Sequence, residues 1–246
     1  MKEGGGPRRP LDPSRRKESI VKPRPITKAL YQIGGSDMTD PKDCSVYLLD
    51  LGELVLIDTG AGSSVDKLVA NMTRLGLTPG NLSAIVLTHC HIDHVGGAGE
   101  LRKRFGAQTI MHRIEAEIVE RGDTRMTAAF WYGVPFPPLT IDRKLDGEEA
   151  RLAFGDHELV CLHTPGHSPG SMSAYVDMDG KRVLFGQDIH GPFLKDFGAD
   201  LKAWTRSMET LLALEADILC EGHFGVYEPA AKVRQYIERY LDEYGE

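Results

Sequence analysis

The chain has 246 residues, 41% of them hydrophobic and 26% charged, with a formal net charge of -7; the surface as a whole repels polyanions, which argues against nucleic acid as a partner. Its apolar runs all stop short of the roughly 20 residues that cross a bilayer, and the N-terminus lacks the apolar segment of a secretory signal. Cys44, Cys90, Cys161 and Cys220 lie far apart with no C-x-x-C pair, a distribution that suits reduced thiols in a cytoplasm rather than a disulfide framework.

Residues 1–25 gather Arg8, Arg9, Arg15, Arg16, Lys17, Lys22 and Arg24 among prolines and glycines, so a flexible basic tail is expected there, followed by one catalytic domain over 26–246. Strands are expected at 45–49 and 54–58 around a turn. A helix over 63–75 places Val65, Leu68, Val69 and Met72 at helical spacing and stops at Gly76. The buried-strand pattern 83–88 runs directly into His89. A helix at 97–105, a strand at 109–112 and a helix at 114–121 follow.

Regular periodicity then fails over 124–146, where Phe130, Trp131, Tyr132 and Phe136 alternate with prolines. A connection of this kind reads as a lid or pocket wall, or as a flap that closes the core. Strands resume at 150–153, 158–163, 171–176 and 181–185, and a strand at 217–220 separates helices at 200–214 and 229–244. Two strand-rich halves, each followed by helices, predict an α/β (α+β) domain in which two sheets pack face to face with helices outside.

The densest chemical signal is T-H-C-H-I-D-H-V-G-G, from Thr88 to Gly97, with three imidazoles and a carboxylate in six positions straight after a strand. Imidazole nitrogen and carboxylate oxygen are ligands that zinc and similar divalent ions prefer. Burying such a cluster without a shared cation would be costly. Three further segments place a candidate ligand just beyond a strand: His167 in T-P-G-H-S-P-G, Asp188 after V-L-F-G-Q, and His223 after I-L-C-E-G. Cys90 alternates away from its neighbours and reads as packing, and His112, His157 and His163 read as structural. His190 and Tyr227, close in sequence to ligands, would either bind substrate or tie down a loop.

H-x-H-x-D-H at 89–94, G-H at His167, Asp188 after a strand and G-H at His223 resemble the metallo-β-lactamase superfamily over about 45–224. The resemblance implies an αββα sandwich of two mixed β-sheets with a dinuclear site at one edge. His89, His91 and His167 would hold one divalent ion, Asp93, His94 and His223 the second, and Asp188 would bridge them. Zinc suits this donor set best, with iron or manganese as alternatives. Asp58, in L-I-D-T-G, resembles the family's aspartate that orients a ligand histidine or the loop backbone.

The activity so implied is metal-dependent hydrolysis of a carboxylic ester, lactone, thioester or related bond of a small molecule by a metal-activated hydroxide. Asp93 would accept or relay the proton, and Phe130, Trp131, Tyr132, Phe136, His190 and Tyr227 would line the substrate pocket. The alternative is a mononuclear iron persulfide dioxygenase-like oxidoreductase that uses only His89, His167 and Asp188. Against the glyoxalase II branch, the stretch after His223 has room for one helix rather than a glutathione-binding domain; against the lactonase branch, Ile189, His190 and Gly191 follow Asp188 where that branch places a tyrosine. No nucleic-acid or membrane partner is expected, a cytoplasmic location is, and composition leaves homo-oligomerisation open.

Overall fold

The computed structural model describes residues 22–245. One sheet contains β1 (Arg24–Pro25), β2 (Leu30–Gly34), β3 (Val46–Asp50), β4 (Leu54–Ile57), β5 (Leu82–Leu87), β6 (Gln108–His112) and β7 (Arg143–Leu145), hydrogen-bonded in that order. Its first four strands pair antiparallel, and β4 to β7 run parallel. The second sheet contains β8 (Glu149–Phe154), β9 (His157–His163), β10 (Met172–Met178), β11 (Lys181–Gln187), β12 (Ile218–Glu221) and β13 (Val226–Tyr227), in the order 13-12-11-10-9-8. Only β11 and β12 pair parallel there.

Alternation along the central strands builds the layers. Tyr47 and Leu49 of β3 and Ala84 and Val86 of β5 point inward, where they meet Leu159, Cys161, Val183 and Phe185 of the second sheet. Val46, Leu48, Ile85 and Leu87 point outward against α1 (Val65–Arg74), α3 (Ala98–Phe105) and α4 (Arg113–Glu120). Because both faces of these strands are covered, they read as unbroken apolar runs. Behind the second sheet, Val160, Leu162, Leu184 and Leu219 pack on α6 (Leu201–Ala213) and α7 (Ala230–Tyr244). The result is an αββα sandwich of two mixed sheets.

Three sequence expectations are revised. Residues 1–21 of the expected tail lie outside the described residues, but Arg24 and Pro25 pair with Gln32 and Tyr31, so sheet structure begins before residue 26. The stretch 124–146 is not wholly irregular: α5 (Ala129–Tyr132) lies within it, and β7 near its end joins the sheet edge beside β6. Strand β2 was not anticipated, because its five residues include Gln32 and end at Gly34. Gly34 is needed there, since a β-carbon would sit 2.7 Å from Leu68 Cδ2 of α1.

Trp204 of α6 joins the outer helical layer to the ligand loops. Its ring is buried, Nε1 donates to the Ile189 carbonyl at 2.9 Å, and a β-carbon on Gly166 would come within 2.3 Å of Trp204 Cβ. Gly166 also holds a φ of +151°, which side chains rarely adopt. Trp204→Ala should lower the unfolding free energy by about 3–5 kcal/mol, read from denaturant melts, because it opens a large cavity and leaves a carbonyl without its donor.

Candidate metal centre

All seven metal-ligand candidates lie at one edge of the sandwich, and strand direction explains why. β4 and β5 run parallel, β11 and β12 run parallel, and β9 is antiparallel to β10, which is antiparallel to β11. The C-terminal ends of β5, β9, β11 and β12 therefore open on the same side, and each is followed by ligands: His89 to His94, His167, Asp188 and His223. Asp58 follows β4 in the same way. A hydrogen bond from Ser45 N to the Gly222 carbonyl at 2.6 Å joins the two sheets at this edge.

Two donor groups share Asp188. In the first, His91 Nδ1 lies 3.0 Å from His89 Nε2 and 2.9 Å from His167 Nε2, with Asp188 Oδ2 at 3.9 and 3.7 Å from those two nitrogens. In the second, His223 Nε2 lies 3.3 Å from Asp93 Oδ2, 3.3 Å from Asp188 Oδ2 and 3.4 Å from His94 Nε2, and His94 Nε2 lies 3.2 Å from Asp188 Oδ1. Tetrahedral bonds of about 2.0–2.1 Å separate ligand atoms by roughly 3.3 Å, so these spacings suit a shared cation.

Hydrogen bonds fix which nitrogens hold lone pairs. Asp58 Oδ1 accepts from Thr88 N at 2.8 Å, and Oδ2 accepts from both the Thr88 hydroxyl and His94 Nδ1 at 2.8 Å. The Thr88 hydroxyl gives its one proton to Asp58, so at 3.1 Å it accepts from His89 Nδ1. His167 Nδ1 donates to the Pro192 carbonyl at 3.1 Å. Nε2 of His89 and His167 is thereby left as the lone-pair atom facing the centre, and Nε2 of His94 becomes one when that ring gives up its second proton. His91 Nε2 and Asp188 Oδ1 are buried without a hydrogen-bond partner. Lone pairs aimed at one another, with Asp188 Oδ1 buried and unsatisfied among them, fit a divalent cation as the missing partner; His91 faces the centre through Nδ1, so its Nε2 is not one of those donors.

Protonation divides the two groups. Burial, reinforced by neighbouring histidines, holds His89 well below the usual histidine range; burial also pulls His91 down to about 4 and His167 down to about 3. These three are unprotonated at neutral pH. For His223, burial opposes the charge, but Asp188 and Asp93 outweigh it and raise the imidazole to about 10. His94 is likewise raised against burial by Cys44, Asp188, Asp58 and Asp93, and Asp188 is held far down by His223 and His94 although burial opposes it. Cys44, Asp58 and His94 also converge, but His94 Nδ1 there is already committed to Asp58 and burial pushes the Cys44 thiol up to about 12, so this is a poorer cation site.

Buried carboxylates set the ligand loops. Glu115 of α4 accepts from Cys90 N at 2.9 Å, Gly170 N at 2.7 Å and the Ser168 hydroxyl at 2.9 Å, tying the first ligand loop to the His167 loop. Glu221 accepts from His223 N and Phe224 N, both at 2.6 Å, and from His190 Nδ1 at 2.5 Å. Sequence reading missed both. Glu115 looks like an ordinary helix-surface acid, whereas Glu221 was detectable as a lone acid closing an apolar strand just before G-H. Gly222 is required beside it, because a β-carbon would lie 2.3 Å from Asp188 Oδ1.

A cleft of about 420 Å³ opens over the centre, and Trp131, Tyr132 and His190 line it. Phe197, Phe224 and Pro192 line it too and carried no sequence signal. Three expected pocket residues are corrected. Phe136 is buried in the outer core with Leu139 and Ile141; Tyr227 packs on Tyr236 at 4.2 Å and borders a separate depression along α7; Phe130 touches Trp131 but does not line the cleft. Neighbouring apolar surface claims the rings of Phe136 and Tyr227, whereas Phe130 stays 52% exposed outside the cleft. His112 and His163 stack on each other at 4.1 Å, away from the cleft lining.

A family model described as the metallo-beta-lactamase superfamily matches residues 39–223. The chain is 32% identical over 149 residues to an uncharacterized protein of Aquifex aeolicus, covering 60% of this chain and 64% of that one. It is 31% identical over 146 residues to the probable metallo-hydrolase YqgX of Bacillus subtilis, covering 59% and 66%. The matches thus span just under two thirds of these two relatives. To the hydroxyacylglutathione hydrolase GloC of Haemophilus influenzae it is 28% identical over 192 residues, covering 76% and 86%. A solved metallo-beta-lactamase from Cronobacter sakazakii superposes with a TM-score of 0.76 at 24% identity over 91% of this chain and 95% of that one, a likeness of fold.

Asp58→Ala removes the acceptor of Thr88 and His94 without touching a lone pair that faces the centre. Competition against a chromophoric chelator should show metal affinity reduced about 10- to 100-fold with the far-ultraviolet circular dichroism retained; unchanged affinity would remove Asp58 from its orienting role.

Proposed function

The chain belongs to the metallo-beta-lactamase superfamily, and we propose that it is a metal-dependent hydrolase that cleaves a carboxylic ester, lactone, thioester or related bond of a small molecule at a dinuclear centre. The observation that carries this reading is the pair of donor groups sharing Asp188, since seven ligands exceed what one tetrahedral ion uses. His89, His91 and His167 would hold one ion, and Asp93, His94 and His223 the other, with zinc the ion that best suits nitrogen and carboxylate donors. Such ions, when bound, supply a hydroxide nucleophile near neutral pH and polarise the scissile carbonyl.

The chain's own residues do the rest. Asp188 stands between the two ligand sets, with Oδ2 towards His89, His167 and His223 and Oδ1 towards His94, and would fix their spacing. Asp93 borders the cleft with its carboxylate against His223, and its pKa is lowered by His94 and His223 although burial opposes this. In this reading it would take a proton released at the centre and pass it to the leaving atom. His190, oriented by Glu221, presents its ring to the cleft beside His223.

Metal analysis together with a panel of esters, lactones, thioesters, phosphodiesters and β-lactams tests the reading. About two zinc ions per chain and metal-dependent hydrolysis of an acyl substrate are expected; one iron per chain with oxygen consumption would replace it with a dioxygenase. Asp188→Ala should reduce kcat/KM by more than about 100-fold, beyond the loss typical of a supporting residue, and by more than any substitution within 124–146. Near wild-type turnover with full metal content in that variant would exclude the shared carboxylate.

The two donor groups should also fill differently with pH. Above about pH 5 the first holds no competing proton, because His91 and His167 titrate near 4 and 3. The second holds a proton on His223, raised to about 10, and another on His94, which is raised as well, and a cation must displace both. Affinity at the second group should therefore rise as pH increases from 6 to 9, by up to about tenfold per unit for each proton released, while the first stays nearly flat. Metal titrations at several pH values check this, and parallel pH dependence of both steps would contradict it.

A further inference from the structure

Two aromatic walls rise from the metal centre, and each ends on a ligand histidine. On one side Trp131 meets Phe197 at 4.9 Å between ring centroids, and Phe197 meets His91 at 4.9 Å. On the other, Phe224 meets His190 at 4.6 Å, and His190 meets His223 at 5.5 Å. Both walls line the same cleft. Trp131 and Phe224 are 56% and 58% exposed, so large rings stand open to solvent directly over a buried polar centre, an arrangement that marks a binding surface.

Charge is as informative as shape. Among the described residues that line the cleft there is no lysine or arginine. The nearby cations stay outside that lining: Lys42 donates to the Tyr132 carbonyl at 3.0 Å, Arg125 pairs with Asp196 at 3.5 Å, and Lys195 precedes Phe197 on the exposed side of its turn. A carboxylate lying between the walls would lose hydration and gain no counter-ion beyond the centre itself.

Resting on the hydrolytic reading above, we propose that the slot selects an uncharged substrate whose apolar acyl group lies between the Trp131–Phe197 and Phe224–His190 walls, and that it discriminates against substrates with a carboxylate on that group. Methylenes buried along the walls contribute to binding before and during the reaction alike, so the selection acts through KM. Trp131, Phe197 and Phe224 are the specificity-determining residues.

The zinc-loaded full-length protein is assayed with S-ethyl thioesters of acetate, butyrate and hexanoate, with the hexanoyl thioester bearing a terminal carboxylate, and with an anionic glutathione thioester. KM should fall roughly three- to fourfold per added methylene, and the carboxylated analogue should show a KM at least about tenfold above its neutral counterpart. Phe224→Ala and Trp131→Ala should flatten the chain-length dependence while retaining full metal content. Equal use of the neutral and carboxylated analogues, preference for the glutathione thioester, or an unaltered chain-length dependence in both variants would overturn the proposal. Binding is read separately by quenching of tryptophan fluorescence with hexanamide and with its terminally carboxylated analogue. If no thioester is cleaved, tighter binding of hexanamide still upholds the slot while the hydrolytic reading fails, and equal binding of the two amides overturns the slot whatever the activity.

Discussion

The Asp58 carboxylate constrains both candidate donor groups at once. Its two oxygens receive the Thr88 amide, the Thr88 hydroxyl and His94 Nδ1, and through Thr88 they also fix the proton on His89. One buried anion thus sets the tautomer of a histidine in each donor group, and a wrong tautomer in either would put a proton where a lone pair must face the ion. Asp58 itself sits at φ +60°, an unfavourable conformation for a residue with a side chain, immediately after the last residue of β4. Backbone strain of this kind persists only where the surroundings over-determine it, and here three hydrogen bonds do so.

The same device recurs around the site. Glu115 clamps the His89–His94 loop to the His167 loop, Glu221 clamps the His223 loop to His190, and Asp43 accepts from Ala61 N at 2.8 Å and from the Ser64 and Thr39 hydroxyls. Each is a buried carboxylate that receives at least one backbone amide. Such amides would otherwise be left unsatisfied in loops packed too tightly for water, so the carboxylates stabilise the loops and fix the positions of their side chains together. The close approaches required at Gly222 beside Asp188, and at Gly96, where a β-carbon would lie 2.3 Å from Ala61 C, belong to the same tight edge.

Above this rigid floor the cleft is built differently. Its walls come from α5, the loop after β11 and the loop after β12, segments whose aromatic rings meet side by side rather than interlocking within a core. The floor is polar and carries the candidate ligands, whereas the walls are largely aromatic, so the groups suited to chemistry and those suited to substrate contact come from different segments.

The cluster of candidate ligands was legible in the sequence because such residues leave a local mark: three histidines and an aspartate in six positions, and three further candidates each placed just past an apolar run. The layered fold was legible for a similar reason, since strands covered on both faces show as short apolar stretches bounded by turns. Local pattern could not tell which rings reach the cleft. Phe136 and Trp131 share one aromatic, proline-interrupted segment, yet Phe136 turns into the outer core and Trp131 stands over the ligands; Phe197 and Glu115 look unremarkable in sequence and acquire their roles only from segments that pack against them. Ligand identity and strand pattern follow from residue type and spacing along the chain. Cleft walls and loop clamps depend on contacts between segments distant in sequence, which only the packed tertiary structure decides.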